Sequence, residues 1–434
     1  MKCLYFSNGT KKEIQSSTRS PSGRSNGTTS MVQDTRPGSR FNSQNTSGTN
    51  ANTSGRSELP GFFQKQNSLR VFTYLELKNA TKNFSHALMI GEGGFGRVYR
   101  ATIKNPEDPH ATLEIAVKQL SQRGLQGHKE WLTEVNVLGV VDHPNLVKLV
   151  GYCAEDDARG MQRLLIYEFM PKRSVEDHLS TRSTEPLSWS MRLRIALDAA
   201  RGLTYLHEEM DLQIIFRDLK TSNILLDEHW NAKLSDFGLA RQGPAEGLSH
   251  VSTVVVGTIG YAAPEYMLTG HLTAKSDIWS YGVVLYELIT GRRPLDTYRP
   301  KCEQKLLEWV KPYISDVKKF CTIIDPRLEG KYSLKSTQQL AAVANRCLMR
   351  RPRARPKMSE VLDMVNRIVE SAETGTPEPP LIRDPSNEVS LEEEKSQGAT
   401  LEVVGDLKMG ERRRLVWQGW TLKLVHVSMV LTGR

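Results

Sequence analysis

Phe216-Arg217-Asp218-Leu219-Lys220-Thr221-Ser222-Asn223, followed after Ile224-Leu225-Leu226 by Ser235-Asp236-Phe237-Gly238, is the stretch on which the reading of this 434-residue chain turns. A short apolar run, strand-like in character, separates a loop bearing Asp218, Lys220 and Asn223 from a second loop bearing Asp236. Two carboxylates, an amide and an ammonium group around one short strand suit phosphoryl transfer. That reaction depends on in-line positioning and on neutralising phosphate charge more than on covalent chemistry.

Working toward the N-terminus, Ile90-Gly91-Glu92-Gly93-Gly94-Phe95-Gly96-Arg97-Val98 contains G-x-G-x-x-G-x-V, whose bare glycines let backbone N–H groups close over phosphates. Alone this is a weak signal, because a glycine-rich hairpin with only a turn role reads the same way. A dinucleotide-binding loop would need a helix directly afterwards, whereas Val98-Tyr99-Arg100-Ala101-Thr102-Ile103 alternates like a strand. Ile115-Ala116-Val117-Lys118 is a second strand, ending in a lysine that can reach phosphates if a carboxylate orients it. In the helical run from Gln126 to Val140 that carboxylate is assigned to Glu134, whose i−3 and i+4 neighbours are the apolar Trp131 and Leu138. Glu130, flanked by Thr133 and Glu134, reads as an ordinary solvated position.

In order and spacing these pieces resemble the protein kinase family. Ala263-Pro264-Glu265, Asp277 in Ser276-Asp277-Ile278-Trp279-Ser280, and Arg355-Pro356 follow in the same order, so the resemblance covers residues 84–369. It implies an α+β, two-lobed fold, with a small antiparallel-sheet N-lobe (84–167) carrying one helix, a hinge (168–171) and a larger helical C-lobe (172–369). The coarse element order agrees. Strands come first, around Ala87 to Thr102, Glu114 to Leu120, Leu146 to Ala154 and Leu164 to Phe169; helices follow at Trp189 to His207, Ser276 to Thr290 and Leu340 to Leu348. The resemblance implies ATP and Mg²⁺, with Mn²⁺ as an alternative ion. Asp218 would accept the proton of the substrate hydroxyl, Lys220 steady the γ-phosphate, and Asn223 and Asp236 hold the metal. It also implies that Glu265 pairs with Arg355 and that Asp277 bonds the backbone of the catalytic loop.

Lys220, two residues after Asp218, resembles the serine/threonine kinases. More narrowly, Phe72-Thr73-Tyr74-Leu75-Glu76-Leu77-Lys78-Asn79-Ala80-Thr81-Lys82-Asn83-Phe84, Leu165-Ile166-Tyr167-Glu168-Phe169-Met170-Pro171 and Gly257-Thr258-Ile259-Gly260-Tyr261-Ala262-Ala263-Pro264-Glu265-Tyr266 resemble the plant receptor-like cytoplasmic kinases of the Pelle/IRAK-like group. That match makes Tyr167 the gatekeeper, Met170 the hinge residue whose backbone binds adenine, and Asp177 a contact for the ribose. It implies protein substrates and an upstream receptor kinase at the plasma membrane, with a role in plant immune signalling. Ser252 and Thr253 are expected as regulatory phosphosites, because Arg217 beside Asp218 offers a phosphate a cation; Thr258 is a third hydroxyl of the segment, more structural in character. Phe216 stands where the family usually has histidine, and is expected to give hydrophobic support. Arg350-Arg351-Pro352-Arg353 is more basic than the family pattern, which weakens a local helix cap.

Five scattered cysteines without a C-x-x-C pair fit a reducing cytosol and argue against zinc. No signal-peptide-like run opens the chain, and no run of eighteen predominantly apolar residues free of charge appears, which argues against secretion and membrane spanning. The sequons at Asn8, Asn26, Asn45 and Asn52 are therefore composition noise. The net charge is +9, but Met1 to Arg70 alone hold ten Lys/Arg against three Asp/Glu. The excess thus lies in a Ser/Thr/Asn/Gly-rich arm (1–70) expected to be disordered, and favours an anionic membrane surface or acidic partners over nucleic acid. Cys3, beside Tyr5 and Phe6 with Lys2, Lys11 and Lys12 nearby, is a site where a palmitoyl group plus basic residues could anchor the chain to the cytoplasmic face. Residues 370–434, including Glu392, Glu393, Glu394, Trp417 and Trp420, are expected as an unstructured tail. The alternative to an active enzyme is a catalytically silent scaffold on the same fold. Intact Lys118, Glu134, Asp218, Asn223 and Asp236 argue for activity.

Overall fold

The computed structural model describes residues 69–93, 96–105, 108, 110–120, 125–157, 160–374, 414–418 and 421–425. Cys3 and the arm as far as residue 68, together with Gly94, Phe95 and the remainder of the tail, lie outside the described residues.

The N-lobe comprises β1 (Arg70–Val71), α1 (Tyr74–Ala80), β2 (Met89–Gly93), β3 (Gly96–Lys104), β4 (Thr112–Leu120), α2 (Leu125–Leu138), β5 (Leu149–Cys153), β6 (Asp156–Asp157), β7 (Gly160–Met161) and β8 (Leu164–Glu168). One six-stranded sheet runs in the order β1-β5-β8-β4-β3-β2, antiparallel except for the parallel β1–β5 pair. Alternation builds it: Ala101 and Ile103 of β3, Ile115 and Val117 of β4, and Leu164 and Ile166 of β8 are buried on one face. Phe72 and Leu77, both ahead of the expected domain start at residue 84, complete the core of that face. The opposite face carries Lys118, and its Leu149, Leu165 and Tyr167 belong to the same apolar cluster as the C-lobe interior.

The C-lobe follows with α3 (Val175–Leu179), α4 (Trp189–Thr204), β9 (Ile214–Ile215), β10 (Ile224–Leu226), β11 (Ala232–Leu234), β12 (Arg241–Gln242), β13 (Val251–Ser252), α5 (Pro264–Thr269), β14 (His271–Leu272), α6 (Ala274–Thr290), α7 (Leu306–Val310), α8 (Val317–Phe320), α9 (Leu334–Cys347) and α10 (Met358–Thr374). Ser188 caps α4 by accepting from Met191 N, and a Thr273–Ser276 capping box starts α6. Helix α6 is buried from Ser276 to Thr290 and ends at Gly291 in the left-handed conformation.

Several boundaries differ from the sequence expectation. The strand expected over 87–102 is a hairpin, β2 paired with β3, because the glycines fold it back on itself. Helix α9 starts at Leu334 rather than Leu340, since Ser333 accepts from Ser336 N and so sets a cap earlier than the apolar pattern suggested. Helix α10 runs past residue 369 to Thr374, carrying the buried Val361, Val365 and Ile368 on one face. Within the tail expected to be unstructured, β15 (Arg414–Gln418) pairs antiparallel with β16 (Thr421–Val425). Leu415, Val416 and Trp417 facing Leu424, Lys423 and Leu422 supply the branched and aromatic residues that strands favour.

Candidate active site

Three elements bring the first cluster together. Register in the sheet pairs Lys118 with Val98 of β3, and its Nζ donates to Glu134 Oε1 of α2 at 2.6 Å and to Asp236 Oδ1 at 2.8 Å. Asp236 sits at φ +67°, which turns the chain into the Phe237–Leu239 turn and leaves its carboxylate facing the lysine. Tyr167 OH donates to the other oxygen of Glu134. Burial opposes the charge on Lys118, but the Asp236 and Glu134 carboxylates override it and raise its pKa above the ordinary value. Burial lifts Glu134 above the usual carboxylate range, while at Asp236 the burial effect is outweighed by Lys118, which holds that carboxyl below it.

The second cluster centres on Asp218. Lys220 Nζ donates to Asp218 Oδ2 at 2.7 Å and to Thr258 Oγ1 at 3.1 Å, and Thr258 Oγ1 donates to Asp218 Oδ1 at 2.7 Å. Asn223 Nδ2 donates to the Asp218 carbonyl at 3.0 Å and to Oδ2 at 3.3 Å, so the amide oxygen is the atom this residue has to offer a cation. Strands β10 and β11 pair antiparallel and Ser235 N donates to Asn223 O at 2.8 Å, which fixes Asn223 and Asp236 relative to each other. Beneath the loop, Asp277 of α6 accepts from Phe216 N and Arg217 N, each at 2.7 Å, and lies 2.8 Å from His207 Nε2. Phe216 is fully buried and meets Phe237 edge to face at 4.9 Å between ring centroids.

A third group holds the segment that follows. Arg217 donates through Nε and Nη2 to Tyr266 OH, through Nη2 to Thr253 Oγ1 at 3.1 Å, and to the Val254 carbonyl. Glu287, fully buried in α6, accepts from Tyr261 OH at 2.7 Å and Thr221 Oγ1 at 3.2 Å, and burial holds its carboxyl well above the usual range. Glu265 and Arg355 form a two-pronged pair at 2.7 Å on each prong, with the guanidinium over the Trp279 ring.

At the connection between lobes, Glu168 accepts from Lys148 N and from Lys233 Nζ, tying β8 to β11. Met170 is buried, and its carbonyl accepts from Arg173 N at 3.3 Å. In the glycine-rich hairpin, Ile90 and Glu92 are exposed; Gly91 and Gly93 have room around the place of a Cβ. Gly96, at φ +139°, would put a Cβ 2.0 Å from the Gln119 carbonyl, so the β3–β4 pairing itself requires glycine there.

One residue is placed otherwise than expected. Glu130 is 3% exposed rather than solvated: its Cβ and Cγ lie against Gly238, and Gln126 Nε2 donates to its carboxylate at 3.0 Å. The helix neighbours that made it look polar do not reveal this cover, which arrives from the Phe237–Leu239 turn. Asp177, expected at the ribose, is exposed, and its Oδ2 accepts from Ser174 N and Oγ in a capping box at the start of α3. Thr258 is 5% exposed and locked between Asp218 and Lys220, whereas Ser252 is exposed and Thr253 half-buried against Arg217. The Thr258 bridge and the Glu287 contacts went unread in the sequence; a Gly-Thr pair followed by an aromatic signals a turn, not what its hydroxyl touches.

The family model for protein tyrosine and serine/threonine kinase matches residues 84–365. The chain is 64% identical over 387 residues to the serine/threonine-protein kinase PCRK1 of Arabidopsis thaliana, covering 88% of this chain and 91% of that one. It is 62% identical over 397 residues to PCRK2 of the same plant, covering 91% and 94%. Receptor-like cytoplasmic kinase 176 of Oryza sativa subsp. japonica is 51% identical over 314 residues, 71% of this chain and 78% of that one. With Lys118, Asp218, Asn223 and Asp236 drawn to one cleft between a sheet and a helical lobe, the chain belongs to the protein tyrosine and serine/threonine kinase family, as a serine/threonine protein kinase of the receptor-like cytoplasmic group.

Proposed function

We propose that Asp218 receives the proton of a protein Ser/Thr hydroxyl while Lys220 steadies the γ-phosphate of ATP, and the observation that carries this is the hydrogen-bonded set Asp218–Lys220–Thr258. Lys118, oriented by Glu134, reaches the α- and β-phosphates, and Ile90, Gly91, Glu92, Gly93, Gly96 and Val98 form the cover over them; Gly94 and Phe95, expected with them, lie outside the described residues. The backbone of Met170 receives adenine, with Tyr167 behind it as gatekeeper. The donor set fits a hard divalent cation: Asp236 is held ionised by Lys118, and Asn223 offers an amide oxygen, so these two residues would hold Mg²⁺, or Mn²⁺ in its place. When bound, that ion neutralises phosphate charge. Asp177, exposed and engaged through Oδ2 at the start of α3, would contact the ribose through its other carboxylate oxygen.

The reading extends to signalling. The kinase would act downstream of a receptor kinase in plant defence, in the cytoplasm at the inner surface of the plasma membrane. The rice relative's name, the basic arm and Cys3 support this, and among the described residues no helix is long and apolar enough to cross a membrane. Phosphorylation at Ser252 and Thr253 would order the segment, since Arg217 already touches Thr253 Oγ1. Incubation with γ-labelled ATP, followed by peptide mapping, is expected to place label on Ser252 and Thr253. Activation that is unchanged after both are replaced by Ala would remove this part of the proposal.

A further inference from the structure

The family match begins at Phe84, yet the packed structure begins at Leu69. Phe72 and Leu77 lie in the core that seals the outer face of the N-lobe sheet, Thr81 Oγ1 donates to Leu77 O at 2.7 Å, and the Phe84 ring lies between Tyr74, tilted at 5.6 Å, and Tyr99, edge-on at 5.4 Å. Strand β1 adds itself to the sheet edge in register Arg70↔Gly151 and Val71↔Tyr152, and Phe72 N donates to Tyr152 O at 2.9 Å. Gly151 has no side chain for a specific reason: a Cβ there would stand 2.0 Å from the Arg70 carbonyl oxygen and 2.7 Å from the Phe72 ring. The sheet edge is thus shaped to take this segment.

The strand it pairs with touches α2. Tyr152, whose backbone carries β1, meets Trp131 of α2 edge to face at 5.4 Å between centroids, and Trp131 Nε1 donates to Leu164 O at 3.0 Å. Trp131 stands three residues before Glu134, on the same side of the helix. At the other end of α2, a Leu69 methyl lies 3.3 Å from where a Gly139 Cβ would be. The segment therefore meets the end of α2 directly at Leu69 and backs the strand whose Tyr152 meets Trp131, on either side of the residue that pairs with Lys118.

We infer that residues Leu69–Phe72, ahead of the residues that the family model matches, are positioning residues for phosphoryl transfer: directly through Leu69 at Gly139, and through the pairing of β1 with Tyr152 behind Trp131, they hold α2 in the place where Glu134 meets Lys118. This rests on the reading of the Lys118–Glu134 pair given above. The helix and the sheet edge are separate elements joined here by packing and the single Trp131–Leu164 hydrogen bond, so loss of the segment leaves α2 free to shift against β5 and β8 without unfolding the C-lobe.

The test uses the full chain with Gly151→Ala, which pushes β1 off the edge, and Leu69→Ala, which removes the contact at the end of α2; Leu75→Ala, an exposed position on the following helix α1, is the control. Each is made in the native background and with Glu134→Gln, and kcat, KM for ATP and melting temperature are measured. The expected result is a fall in kcat/KM of at least about 5-fold for Gly151→Ala and a smaller one for Leu69→Ala, carried by KM for ATP. Both effects should vanish in the Glu134→Gln background, because residues that act through one group do not add. Effects that add fully to Glu134→Gln, or a lower melting temperature with kcat/KM unchanged, would overturn the inference. If Gly151→Ala fails to fold, Leu69→Ala decides alone by the same criteria. A Glu134→Gln chain as active as the native one would instead strike at the reading of the ion pair itself.

Discussion

Thr258 shows what a single hydroxyl does in this site. It donates to the carboxylate expected to receive a proton and accepts from the lysine beside it, so it fixes the distance between the two. Thr258→Ala removes two hydrogen bonds to charged partners, each worth about 1.5–3 kcal/mol, and losing even one such contribution in the transition state should lower kcat about 10- to 150-fold. Thr258→Ser keeps the hydroxyl and should keep most of the rate; steady-state kinetics on the two variants make the comparison. Residue chemistry of this kind was only partly legible beforehand. Lys118, Asp218, Asn223 and Asp236 announce themselves because buried or loop-borne charges need a job, and Glu134 because its helix neighbours are apolar. Glu130 and Thr258 do not, since what surrounds them comes from Gly238 and from Asp218 and Lys220, far away in the chain.

Elements were legible where pattern and caps agree. Helix α6 was expected to begin at Ser276 and begins at Ala274, because Thr273 rather than an apolar residue sets its start. Strand β4 and helix α2 lie within a few residues of where alternation and helical periodicity placed them. Strand β1 was missed: two residues pairing in parallel at an edge have no period to read, and the glycine that receives them sits in another strand. At this scale the Glu265–Arg355 pair staples α5 to the turn before α10, with the Arg355 side chain fully buried and Glu265 partly open to water. Arg355→Ala should destabilise the fold by roughly 3 kcal/mol, the lower end for breaking a buried pair, because Glu265 retains solvent. Arg355→Lys should recover only part of that, lacking the two-pronged geometry. Urea denaturation of the three proteins measures both values.

At the scale of the whole molecule, a sheet lobe and a helical lobe share one apolar interior, and the charged groups of the site lie where they meet. Lys118 comes from the sheet, Glu134 from α2, Asp236 from the turn after β11, and Asp218 from a loop pinned to α6 through Asp277. The two-lobed architecture was readable from motif order, because strands cluster before Glu168 and helices after it. How far the first lobe extends was not, since the residues before Phe84 resembled the family without revealing that they complete its sheet. Phosphoryl transfer from γ-labelled ATP to a Ser/Thr protein substrate, measured for the native chain and for Asp218→Asn with ATP affinity determined in parallel, tests the central claim most directly. The account predicts a native rate that falls about 10²- to 10⁴-fold in Asp218→Asn while ATP binding stays unchanged. Equal rates in the two proteins would contradict it.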